Sequence, residues 1–156
     1  MTKRPQPIIC LDFDGVIHSY ASGWKGAAVI QDPPVPGALE FIVTALDHAQ
    51  VAIFSSRSHQ WGGKRAMKRW LRANLIALDD GRLGPPQWWL DRVGRTAFAD
   101  PWPDECAHAA DLVVREISWP WFKPPALVSI DDRAIQFAGA WPAVGDLLKF
   151  WPWTKR

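Results

Sequence analysis

Three clusters of polar residues each close a short apolar run, and acids and a hydroxyl at every such end make a joint chemical signal. Asp12-Phe13-Asp14-Gly15 follows Pro7-Ile8-Ile9-Cys10-Leu11, and Asp131-Asp132-Arg133 follows Ala126-Leu127-Val128-Ser129-Ile130. Ser55-Ser56-Arg57-Ser58 follows Val51-Ala52-Ile53-Phe54, and Lys123 stands just before Pro124-Pro125. Ionised carboxylates at the end of a buried strand are costly unless compensated, and a divalent cation held by oxygen ligands is the usual compensation. The expected chemistry is therefore that of a metal-assisted acidic site. Taken alone, Asp14-Gly15 also has the composition of an ordinary polar turn. The convergence of the other runs separates the two readings.

The elements that must position these groups follow from hydrophobic periodicity. Three short apolar runs read as buried strands, the second ending at Phe54. Between the first two, Leu39, Ile42, Val43 and Leu46 fall at i, i+3, i+4 and i+7, which predicts a helix after Pro33-Pro34-Val35-Pro36-Gly37. The order β, α, β implies parallel strands joined by a crossover. The acids and Ser55 then arrive on one edge, the C-terminal end of the strands, where open α/β sheets bind ligands. His18 to Asp32 contains Ser22-Gly23-Trp24-Lys25-Gly26 and is expected to form a flap over Asp12, with Trp24 and Lys25 its candidate substrate contacts. Arg57 offers a fork for phosphate. His18, His48, His59 and His108 lack metal-ligand spacing and read as polar residues.

Beyond Gly62-Gly63 a second helix is expected, with Met67, Trp70 and Leu71 on its apolar stripe and Lys64, Arg65, Lys68, Arg69 and Arg72 opposite. That basic face reads either as a solvated surface or as a track for a phosphate backbone. Residues 79–103 form a loop-rich Trp/Pro insertion without a period. Asp104 is a candidate N-cap for a helix to about Arg115, followed by a short strand at Glu116-Ile117-Ser118. A short helix over Ala134 to Gly139 and a tryptophan-rich tail close the chain.

Composition bounds the alternatives. A chain of 156 residues suits one domain, 1–156, and a formal charge of +2 is too small by itself to argue for nucleic acid. Two cysteines make no disulfide framework, and no apolar run reaches membrane-spanning length or the pattern of a leader, so a cytoplasmic protein without a membrane partner is expected. Eleven tryptophans against one tyrosine are unusual. They read as core and loop-packing residues, with stacking platforms for bases as the alternative.

DFDGVIHSY, DPPVPGALEF and SIDDRA, with the serine and lysine between them, resemble the haloacid dehalogenase-like (HAD) hydrolase superfamily over residues 7 to 138. The similarity is to its small members found in phages and prophages. The resemblance implies an α/β, Rossmann-like three-layer fold with a central parallel sheet and no large cap domain. It also implies Mg²⁺-dependent phosphatase chemistry through an aspartyl-phosphate. In that scheme Asp12 is the nucleophile and Asp14 the acid and then the base, its backbone carbonyl also a metal ligand. Ser55 and Lys123 bind the phosphoryl group, and Asp131 and Asp132 hold Mg²⁺ with Asp12. A site without a cap suits nucleotide or polynucleotide phosphate ends. Small metabolites, phosphoproteins or a non-catalytic binding role are the alternatives, and oligomeric state is left open.

Overall fold

The computed structural model describes residues 6–78 and 104–155. Three parallel strands form one sheet: β1 (Ile8–Leu11), β2 (Gln50–Ile53) and β3 (Val128–Ile130), in the spatial order β2-β1-β3. Ile9 stands opposite Val51 on one side and Val128 on the other, and Leu11 opposite Ile53 and Ile130. The ladders run one step past the strands, since Phe54 N–H donates to the Leu11 carbonyl at 3.0 Å and Asp12 N–H to that of Ile130 at 2.9 Å. In-register parallel strands bring the residues after Leu11, Ile53 and Ile130 to one edge.

Helix α1 (Ala38–Leu46) connects β1 to β2, as the apolar spacing predicts, with Leu39, Ile42 and Val43 buried. Its entry is Gly37, held at φ 83°, a left-handed backbone that favours glycine. Helix α2 (Gly63–Leu78) buries Met67, Leu71 and Leu75 and packs on α3 (Asp104–Glu116), where Arg72 and Asp111 form a two-point ion pair at 2.7 and 3.2 Å. The core gathers Leu11, Phe13, Ile17, Ile42, Val51, Ile53, Met67, Leu71 and Val113, so it sits on β1 and β2. Together these make a small α/β arrangement of helices and parallel strands.

The chain after α3 departs from expectation in three places. The strand at 116–118 reduces to one parallel bridge, Ser118 beside Ala52, because α3 runs through Glu116 and Pro120 cannot donate to a ladder. Strand β3 is three residues long and exposed: Val128 is 47% and Ile130 40% accessible, unlike the buried strand expected there. No helix forms over 134–139; that six-residue run is exposed, too short to offset helix nucleation without packing, and the turn of helix falls instead at α4 (Val144–Leu147). The expected insertion at 79–103 lies outside the described residues. Among the described residues no helix is long and apolar enough to cross a membrane.

Among the described residues the tryptophans do not fill the core: Trp61 is 98% accessible, Trp141 87% and Trp121 60%, while Trp70 and Trp119 pack against the core cluster.

Candidate functional site

The site begins with a tight turn. The N–H groups of Val16, Ile17 and His18 all approach the Phe13 carbonyl, and Gly15 N–H donates to the His18 carbonyl at 2.8 Å. Gly15 sits at φ 83°, and a Cβ there would lie 2.5 Å from Asp132 Oδ2. Only glycine lets the two acidic loops close on each other. Asp132 is thereby packed beneath the turn, its side chain 1% accessible.

Three carboxylates converge at this edge. Oxygens of Asp12, Asp131 and Asp132 lie within 4.8 Å of one another. Both Asp132 oxygens are buried without a hydrogen-bond partner, with the Arg133 guanidinium 3.8 Å away. Burial pushes Asp12 up to about 6, reinforced by the charges of Asp131, Asp132 and Asp14, while the Phe13 N–H at 2.7 Å acts in the opposite direction. Burial raises Asp132 as well, with Asp131 and Asp14 adding to it and Arg133 opposing. Crowded, partly buried carboxylate oxygens are a donor set whose ionised form a hard divalent cation would stabilise. Asp12, Asp131 and Asp132 thus fit a metal, and the orphaned Asp132 oxygens are the sharpest sign of it.

Asp14 plays another part. His18 Nδ1 lies 2.9 Å from its Oδ1 and Arg57 Nε donates to its Oδ2 at 2.8 Å. Burial alone would raise Asp14, but these bonds and the Arg57 charge outweigh it and hold the carboxyl below its ordinary range. The Asp32 N–H points at His18 Nε2 from 3.2 Å, so Nε2 accepts and the Nδ1 proton goes to Asp14. His18 is itself buried and stacked on Phe13. Sequence reasoning left it a polar loop residue, since an i, i+4 pair signals contact only on a helix and this one is made by a turn.

Arg57 corrects a second expectation. It is fully buried, and its Nη1 donates to the carbonyls of Gly26, Ala27 and Val29 at 2.8, 2.9 and 3.2 Å. With Nε on Asp14 and Nη1 on the flap, only the buried Nη2 is left without a partner, and Arg57 lines neither cleft of the site. It pins the flap instead. The flap is real: its base closes through Val35 N–H to the Ile17 carbonyl and Ser19 N–H to that of Pro33, and its interior through Ser22 to Asp32. Trp24 lies over the Arg57 guanidinium, 4.6 Å from carbon to ring centroid.

Two clefts flank Asp12. One is lined by Cys10, Phe54, Lys123, Ser129 and Asp131, the other by Asp14, Tyr20, Trp24, Asp131 and Arg133; Ser55 and Ser56 border both. Lys123 and Trp24 are therefore brought to the site as expected, whereas Lys25 is exposed on the flap and lines neither cleft. Ser55 is buried and starts the turn Ser56–His59, its Oγ accepting from Arg57 N–H at 3.4 Å, which leaves its hydroxyl proton free to donate. The carboxylate of Asp14 is not one of the three converging acids. Tyr20 and Arg133, which carried no sequence signal, complete the second rim.

No model of a known protein family, no curated protein and no solved structure matches this chain.

Proposed function

We propose that the protein is a Mg²⁺-dependent phosphatase of the HAD-like type, with a Rossmann-like sheet, acting through an aspartyl-phosphate on nucleotide or polynucleotide phosphate ends. The observation that carries this reading is the meeting of Asp12, Asp131 and Asp132 at one strand edge, with both Asp132 oxygens lacking donors. The strand order supports it, because β1 hands the chain to β2 on one side and has β3 on the other. The acids after β1 and β3 therefore flank the crevice where such sheets bind ligands.

Asp12, Asp131 and Asp132 would hold the ion, which supplies the positive charge that lets a carboxylate approach an anionic phosphate. An Asp12 oxygen attacks phosphorus, and the bond from phosphorus to the leaving oxygen breaks as that oxygen takes a proton from Asp14. Water then attacks the same phosphorus, Asp14 receives its proton, and the bond to Asp12 breaks to free inorganic phosphate. Ser55 donates its hydroxyl to a phosphoryl oxygen, and Lys123 in the adjoining cleft neutralises charge. Asp14 rests ionised against Arg57 and His18, the state of a base. An arriving phosphate dianion raises its proton affinity by like-charge repulsion, the direction its acid step needs.

The test is phosphate release from p-nitrophenyl phosphate and from 3′- and 5′-phosphorylated nucleotides and oligonucleotides, with Mg²⁺ and with a chelator. Release should require the metal and fall at least about 1,000-fold in Asp12→Asn, which keeps the side chain's shape but not its nucleophile. Release that survives Asp12→Asn would refute the mechanism.

A further inference from the structure

The phosphatase reading leaves unexplained why large aromatics stand in solvent beside this site. Trp61 is 98% accessible, Phe122 80% and Trp121 60%. Isolated exposed apolar residues are ordinary, but Trp121 and Phe122 are joined to lysines and to the cleft, and Trp61 stands two positions before α2, which carries those lysines. Lys64 Nζ lies 3.5 Å from the centroid of the Trp121 ring and donates to the Trp119 carbonyl at 2.8 Å. Lys68 reaches toward the Trp119 ring, 5.6 Å away. Phe122 contacts His59, which contacts Phe54 in turn, at ring separations of 6.2 and 5.4 Å. Phe54 and Lys123 line the cleft beside Asp12. Exposed rings and lysines thus lead from the start of α2 to the acidic edge.

Aromatic faces interleaved with lysines, running into a site read as a phosphatase, match one ligand chemistry. Bases stack on rings irrespective of sequence, and a phosphate backbone pairs with flexible ammonium groups. An acidic peptide would use the lysines but leave the rings in water; an apolar partner would leave the lysines unpaired. We infer that Trp61, Lys64, Lys68, Trp121, Phe122 and Lys123 form a track for single-stranded nucleic acid that leads its phosphorylated end toward Asp12. The inference deepens the phosphatase reading and takes its purpose from it, but its test reads binding alone, so the two fail separately.

Binding of fluorescein-labelled oligothymidylate without a terminal phosphate would be followed by anisotropy on the Asp12→Asn protein, in which turnover cannot interfere. Three lysines on the backbone predict a slope of about −2 in log affinity against log salt. Trp61→Ala with Phe122→Ala should weaken binding by about tenfold or more, since each stacked base contributes about 1–3 kcal/mol. Both side chains are exposed, so circular dichroism and the unfolding midpoint should stay in place. Lys64→Gln with Lys68→Gln should flatten the salt slope by more than one. The inference is overturned by absence of binding at low salt, by equal affinity for duplex of the same length, or by affinity unmoved in the aromatic variant. Strand binding by the Asp12→Asn protein, together with no metal-dependent phosphate release by the wild type, would sustain the track and sink the phosphatase reading.

Discussion

Arg57 shows how one buried side chain can serve a site without touching its substrate. Its four donated bonds reach Asp14 and three flap carbonyls, all contributed from outside its own segment. Taking a guanidinium out of water is costly, and the bonds of Nε and Nη1 with the Asp14 charge offset that cost although Nη2 has no partner, so the flap and Asp14 hold each other in place through it. Arg57→Met should destabilise the fold by about 3 kcal/mol, because it leaves Asp14 half-paired and three carbonyls without their donor. Urea unfolding would show the loss, and trypsin should cut faster at Lys25. A midpoint within error of the wild type would mean that the network carries no net stability. The Asp131–Arg133 contact is of another kind, a 2.8 Å bond from the Arg133 N–H to Asp131 Oδ1 that shapes the turn and presents the acids.

At the scale of elements, the acidic edge is closed from behind by the tail. Trp153 Nε1 donates to the Gly15 carbonyl at 2.7 Å across 138 positions of sequence. The residues between β3 and this contact are mostly exposed, so the indole is the firm point that ties the tail to the turn beneath which Asp132 sits. Trp153→Phe keeps a ring and deletes the donor. It should cost about 1 kcal/mol and lower the thermal midpoint by roughly 2–4 °C. A midpoint that does not move would show that the tail adds nothing to the stability of the turn. The crossover from Ser118 to β3 lacks a helix, and its ring contacts with Lys64 and Lys68 do the packing on α2 instead.

For the whole molecule, the crowding of acids makes stability depend on pH and on metal. Asp12 is raised to about 6 in the folded state, against an ordinary value of 3.8. The folded protein therefore binds more protons than the unfolded chain between those values, and stability contributed by protonated Asp12 is lost as pH rises from about 4 to 6. Asp14 is shifted the other way, so its contribution is present above the ordinary carboxylate range and disappears in acid as pH falls through its lowered value. Without divalent cations, moving from pH 5 to pH 7.5 should cost the wild type roughly 1–1.5 kcal/mol more than Asp12→Asn, since about one unit separates pH 5 from the raised value, at 1.36 kcal/mol per unit. Mg²⁺ should restore most of that difference at pH 7.5, because a ligand that binds only the folded state stabilises it. Denaturant titrations at the two pH values, with and without the ion, check both statements. Equal pH dependence in the two proteins would remove Asp12 as the cause.

Periodicity and strand-end chemistry suffice for the local elements about β1, α1, β2 and α2, since burying an apolar stripe or run is decided by nearby residues. They also suffice to bring Asp12, Ser55 and Asp131/Asp132 to one edge, because parallel strands in register leave no other arrangement. What pairs with what across that edge was not readable. Arg57 carries the same side chain whether it faces a phosphate or the carbonyls of a flap 28 to 31 positions away, and His18 meets Asp14 only because three N–H groups converge on Phe13. The exposure of the tryptophans was equally hidden, since ring size predicts burial only where a core is within reach. Which chemical groups gather, and at which end of the sheet, follows from the order of residues along the chain. The tertiary structure alone decided which of them are held by neighbours and which stand free, because hydrogen-bond partners distant in sequence are chosen by how the loops close.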